Sequence, residues 1–269
     1  HPGGSGADYK RECEIKENRK SLLIWSLTVG LICYGCILLY KSVSGQLAEV
    51  ADLYANMGEM TKALGMDKVS LATLDGYYAT EIALMFGLGA GMFAAMLGVN
   101  SLSKEEEGHT SEFLYTLPYQ RKTIFLWKYL SVLVLILSFN AIAVGLSLLG
   151  IWQLDMTFSY QAMLHYHLLA LLMQLELASL GFLISAISSK KQTGLAMSLV
   201  LLTYSLDMMV RIVPDLDKLK YLTPYYYASG ADVFSQVDLD ILLLIKAGVV
   251  ILASLLFSVM ILEKKDLKA

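Results

Sequence analysis

A chain of 269 residues in which 56% are hydrophobic and only 17% charged falls well short of the roughly 25% charge usual in soluble domains; its mean hydropathy is +0.57. Several runs reach the roughly 20 consecutive apolar residues that cross a bilayer core, which excludes an ordinary soluble fold and predicts an integral membrane protein. The net charge of −3, from 21 basic and 24 acidic residues, lacks the basic excess of a nucleic-acid binder, so no nucleic acid is expected as a partner.

Residues 1–6, His-Pro-Gly-Gly-Ser-Gly, read as an appended remnant outside the fold. Residues 7–20 are polar and basic, and Ile15 with the lysine stems fits an amphipathic lead-in helix on the membrane surface. The first span is 21–40. Its Cys33 and Cys36 form a C-x-x-C, but the third cysteine, Cys13, lies far from them and no metal ligands are near. They read as small buried hydrophobes rather than a disulfide framework.

Residues 41–76 are too polar to span. Leu47, Val50, Ala51, Tyr54 and Met57 keep helical spacing, which predicts amphipathic helices outside the bilayer. The second span, 77–100, carries Gly87, Gly89, Gly91, Ala94, Ala95 and Gly98 in small-x-x-x-small patterns that let helices approach closely. No strand pattern precedes this run, so it is not a dinucleotide fingerprint.

Residues 101–122 form the most charged run of the first half. Ser103 and Glu106 read as a capping box, and Glu105, Glu106 and Glu107 complement the positive end of a helix dipole. Phe113, Leu114 and Leu117 recur on one helical face, and Pro118 ends the helix. Arg121 and Lys122 precede the third span, 123–151. A short aromatic turn, 152–166, leads to the fourth span, 167–188, and Lys190 and Lys191 stand in a tight basic loop. The fifth span is 193–213. Residues 214–240 form a polar external segment in which Tyr225, Tyr226 and Tyr227 suit a membrane interface. The sixth span is 241–262, and 263–269 is a charged tail.

The expected fold is therefore an all-α membrane protein with six transmembrane helices in 21–262. Orientation follows from basic residues. With the tail inside, thirteen Lys and Arg lie in the inner segments against six in the longer outer ones, which puts both termini and the 101–122 helix in the cytoplasm.

Ionisable groups inside a membrane are costly and usually face a partner or a cavity. Glu81, Glu176, Asp207 and Lys246 are the candidates for a translocation path or intramembrane pairing. Asp207 with Lys246 is one pairing; Glu176 with Gln174 could line a path or a dimer seam. His165 and His167 lack a third metal ligand and read as interface residues. No metal site is expected.

The 101–122 loop resembles the signature of type-2 ABC transporter permeases, the membrane subunits of ATP-driven exporters. Glu106, Glu107, Thr110, Glu112, Phe113, Leu114, Pro118, Arg121 and Lys128 stand at the places of that signature. His109, between Gly108 and Thr110, and Gln120, where Ser often precedes the Arg, depart from it. Lys62-Ala63-Leu64-Gly65 with Gly76-Tyr77 is similar to the first external loop of the same family. The resemblance implies a division of labour. The chain has no G-x-x-x-x-G-K-[ST] phosphate loop, so it is not itself the ATPase, and the resemblance implies a subunit that binds no cofactor and is not catalytic. ATP and Mg belong to a separate nucleotide-binding subunit, whose cleft receives the loop as a coupling helix. Its apolar face and charged rim suit such a groove, and Lys190 and Lys191 are candidates for a second contact.

The resemblance further implies a second permease subunit, membrane lipid as surroundings, and a bacterial cytoplasmic membrane. Hydrophobic or amphipathic cargo (lipid, peptide or drug) is expected. Two rival readings are a membrane-embedded lipid-modifying enzyme, which would need clustered catalytic groups at one depth, and a non-transporting sensor or scaffold that docks a cytosolic ATPase.

Overall fold

The computed structural model describes residues 6–103 and 121–265. Helix α1 spans Gly6–Ala55, α2 Glu59–Leu64, and α3 Leu74–Tyr77, which continues through a π-helical turn, Tyr78–Ile82, into α4, Ala83–Ser101. After the loop come α5, Arg121–Leu154; α6, Tyr160–Ile187; and α7, Thr193–Ile212. A 3-10 helix, Pro214–Leu222, and the short α8, Gly230–Phe234, lead to α9, Ile241–Lys264. No strand occurs among the described residues.

Six helices are long and apolar enough to cross a membrane: Asn18–Leu53, Leu74–Ser101, Arg121–Leu154, Tyr160–Ile187, Thr193–Ile212 and Ile241–Lys264. They coincide with the six expected spans. The lead-in, the first span and the start of the next loop are one unbroken helix, because no proline interrupts 6–55 and a helix tolerates its isolated glycines, Gly30, Gly35 and Gly45. The fourth span starts earlier than expected, at Tyr160, where the Ser159 hydroxyl accepts from the Ala162 N–H. Asp155, at φ 50°, turns the chain between α5 and α6.

Helix α1 runs parallel to α5, with Gly30 against Ala143 and Leu146, and Ile37 against Gly150. Helix α4 runs parallel to α6 at the centre. A Cβ on Gly98 would stand 2.2 Å from the Ala178 carbonyl oxygen, and one on Gly181 would stand 2.7 Å from the Val99 nitrogen. Only glycine permits that approach, as the small-residue pattern in the second span anticipates. The seam is filled by rings: Phe93 stacks on Phe139 at 5.0 Å, and Phe182 meets Phe125 edge-on at 5.4 Å. Cys33 lies fully buried in this core as a free thiol, and Cys36 half-buried beside it.

Both flanks of the 104–120 loop, the 188–192 loop and the end of α9 meet at one face of the bundle. Arg121 donates to the carbonyls of Leu262 (2.6 Å) and Lys265 (2.9 Å), and Lys265 Nζ donates to the Ser188 carbonyl (2.7 Å). Because α1 is parallel to α5, the N-terminal end lies on this same loop face. The 55–74 and 154–160 connections lie at the opposite, far face.

The segment after α7 departs from expectation. Instead of resting at an interface, it folds back between the helices. Thr223 Oγ1 donates to the Thr203 carbonyl at 2.6 Å, half-way along α7. Tyr225 donates to the Gly87 carbonyl at 2.8 Å, and Tyr225 and Tyr227 are both buried. A tyrosine can go that deep when its hydroxyl finds an acceptor, and each of these does.

Candidate functional site

The polar groups inside the bundle come together in two linked clusters toward the far face, built on α6, α7, α9 and the returning segment. In the first, Glu176 is almost fully buried on α6. Lys246, a turn and a half into α9, reaches it with an Nζ–Oε1 distance of 2.8 Å. Tyr227 donates its hydroxyl to the other carboxylate oxygen at 2.9 Å, and Lys246 also lies 5.6 Å from the Tyr227 ring centroid. Burial, with the Glu176 charge beside it, pushes the Tyr227 phenol well above its usual range. It therefore remains a neutral donor to the carboxylate. One carboxylate thus binds three elements together.

In the second cluster Arg211 takes the central place. Its Nε donates to Asp207 at 3.0 Å, one helical turn earlier on α7. Its two terminal nitrogens donate to Asp232 (3.0 Å) and to the Tyr226 carbonyl (2.9 Å). The guanidinium also lies 4.5 Å from the Tyr226 ring centroid. Lys68, from the loop after α2, pairs with Asp232 as well. The planar fork of arginine suits such a node, since it satisfies several acceptors at once.

The expected pairing of Asp207 with Lys246 is thus corrected. Lys246 belongs to Glu176, and Asp207 takes Arg211, its own neighbour at i+4. Gln174 does not share a surface with Glu176 either; it exchanges hydrogen bonds with Asn140 of α5, at 2.8 and 3.3 Å. His167 is no interface residue. It is buried, with Nε2 2.5 Å from the Tyr78 hydroxyl, whereas His165 is exposed. Glu81 sits in the π-helical turn Tyr78–Ile82 and lines a cavity of about 80 Å³ with Tyr204, Asp207 and Arg211. A π turn inside an otherwise α-helical span is a frequent mark of function.

Sequence reading missed Arg211, Asp232 and Lys68, and assigned Tyr227 to an interface where the structure buries it on Glu176. Arg211 carried a usable signal, since an Asp and an Arg four residues apart on one helix are neighbours. Asp232 and Tyr227 carried none, because their partners come from distant helices.

At the loop face, Arg121 caps the end of α9 as described, and Lys122 approaches Glu263 at 3.6 Å. Lys128 is buried and donates to the Ser101 carbonyl at 3.0 Å, closing the two ends of the loop onto each other. Ser185 Oγ accepts from the backbone N–H groups of Leu102 and Ser103, which fixes the exit from α4. Lys190 and Lys191 are exposed in the neighbouring loop. Glu105, Glu106, Glu107, Thr110, Glu112, Phe113, Leu114, Leu117 and Pro118 lie outside the described residues.

The family model of the ABC-2 family transporter protein matches residues 12–267 of the chain. No curated protein matches it. A match over nearly the whole length, on an all-helical bundle with six spans, shows the family. The chain is a multi-pass membrane protein that belongs to the ABC-2 transporter family, the membrane permease component of ABC transporters.

Proposed function

We propose that this permease works as one half of a dimeric exporter driven by separate ATP-binding subunits, in a bacterial cytoplasmic membrane with both termini inside. The observation that carries the reading is the family match over residues 12–267. The 101–122 sequence adds to it, with an apolar face of Phe113, Leu114 and Leu117 beside the carboxylates Glu105, Glu106, Glu107 and Glu112. On this reading the loop fills a cleft of the ATPase subunit, ATP and Mg are held there, and Lys190 and Lys191 make a second contact. The flanks are suited to carry a push inward. Arg121 is bonded to the end of α9, and Lys246 of α9 is bonded to Glu176 in the core. Cargo is hydrophobic or amphipathic, and the polar clusters near the far face lie beside its route.

The test is co-purification from the native membrane in gentle detergent, comparing the wild type with Glu112→Lys plus Phe113→Ala. An ATP-binding subunit accompanies the wild type and is lost from the double variant. If none accompanies the wild type, the docking reading fails.

A further inference from the structure

A cavity of about 680 Å³ opens at the far face between the first turns of α6, the residues 226–240 and the start of α9. That volume lies within the usual range of small-molecule sites, about 300–1,000 Å³. It belongs neither to the helix seams nor to the loop face. Its lining changes with depth. Lys220, Asp238 and Asp240 stand at the rim, and Leu168, Leu169 and Leu243 form the deeper wall. Ser159 and Leu169, both in the lining, are ten residues apart along α6. At 1.5 Å per residue the cavity descends about 15 Å, half of a hydrocarbon core of about 30 Å.

The apolar side of the cavity is continuous with bilayer-facing surface. Leu168 is 55% exposed, and so to a similar degree are Leu164 and Leu242 beside it. A ligand can therefore enter sideways, from the lipid, with its polar end at the rim and its chain against the leucines.

Of the rim's two carboxylates, Asp240 already accepts from the Leu242 N–H and the Tyr221 hydroxyl, which leaves Asp238 and Lys220 as the charges open to a ligand. Asp238 is exposed and has no hydrogen-bond or ion-pair partner among the described residues. Lys220 touches Asp217 at 3.5 Å, which occupies one of its three N–H donors. Burial pulls its pKa down, but Asp217 and the rings of Tyr226 and Tyr221 outweigh that and hold it above the usual lysine value. Lys68 and Asp232, also in the lining, are already paired with each other. An open carboxylate, an ammonium with donors to spare and an apolar wall at bilayer depth match an ammonium, a phosphate and an acyl chain.

We propose that this cavity binds the head and upper chain of a zwitterionic phospholipid from the far leaflet, with its ammonium toward Asp238 and its phosphate toward Lys220. The inference goes beyond the export reading and does not depend on it, because it concerns lipid held from the bilayer and not cargo driven by ATP.

The experiment uses the full chain in nanodiscs of equimolar phosphatidylethanolamine and phosphatidylglycerol, followed by native mass spectrometry of the released protein. The wild type retains phosphatidylethanolamine in preference to phosphatidylglycerol. Asp238→Lys, an exposed substitution that leaves the fold intact, shifts that preference about two- to fivefold toward phosphatidylglycerol, the range of one exposed ion pair. Leu169→Trp, which fills the wall, removes the adduct, and Leu256→Trp, on a lipid-facing surface elsewhere on α9, keeps it. Phosphoethanolamine without chains, added in excess, leaves the adduct in place. Equal retention of both lipids by the wild type, or identical adducts in all variants, would mean annular lipid only and overturn the proposal. Displacement by phosphoethanolamine would mean a head-only site and overturn it as well.

Discussion

The two sides of the bundle differ in what joins them beyond apolar packing. Helices α1, α4 and α5, with one face of α6, meet through rings and small residues. Phe86, Phe93, Phe139 and Phe182 are fully buried there, and glycines on α4 and α6 let backbones touch. Helices α7 and α9 are less enclosed than the central α3–α4 span: 28% and 22% of their apolar stretches are buried, against 67% there. They pack on α4 and α6 through a second apolar cluster of Ala95, Val99, Leu177, Ala196, Val200, Leu243 and Ala247, and polar contacts across elements add to it, Lys246 and Tyr227 to Glu176 and Arg211 to Asp232. A seam of close-packed rings loses contacts everywhere when it shears, so it stays together. A few hydrogen-bonded charges can part and re-form as units. The polar contacts of the second side are therefore the places where α7 and α9 are expected to give first.

The sharpest way to break this comparison is to remove one charge from the buried pair. Lys246→Met leaves Glu176 without its cation in a buried site, and losing one partner of such a pair costs about 3–5 kcal/mol. Glu176→Leu with Lys246→Met replaces both by apolar groups and recovers most of that stability. Thermal unfolding in detergent reads both; a single variant as stable as the wild type would remove the pair as a latch. On the ring-packed side, Gly98→Leu forces a side chain into the Ala178 carbonyl and costs about 1–3 kcal/mol by overpacking. Gly145→Leu, where nothing lies within 4 Å of a built Cβ, serves as its silent control. If both glycines tolerate leucine equally, α4 and α6 are not locked by contact.

How much of this was legible in the sequence divides along the same line. Six apolar runs gave the spans, since a bilayer sets their length. The stretch from Gly87 to Gly98 foretold a tight seam, because small residues at four-residue spacing share one helix face. Partner choice among Glu176, Asp207 and Lys246 was not legible, because it depends on how α9 and the returning segment dock on α6. The burial of Tyr225 and Tyr227 was hidden for the same reason. Their composition fits an interface as well as a core, and only the acceptors at Gly87 and Glu176 decide between them. The loop signature was legible through its spacing and pointed to the family that the whole-chain match then gave.

The smallest expected effect joins the two sides at the loop face. Arg121 begins α5, on the ring-packed side, and donates to carbonyls at the end of α9, on the latched side. The last carbonyls of a helix have no partner within it, and a cation there also complements the negative end of the helix dipole. Arg121→Gln keeps some hydrogen-bonding capacity but loses the fork and the charge. Its cost in thermal stability is about 1 kcal/mol, because this end is partly open to water and the carbonyls can be rehydrated. If α9 moves with the loop through this contact, cargo-stimulated ATP turnover of the assembled complex falls by more than so small a stability loss explains, while basal turnover is kept. Arg121→Lys, which restores charge without the two-pronged grip, recovers stability before it recovers stimulation. Equal recovery of both would reduce Arg121 to a helix cap and leave the link between the loop and the latches to another contact.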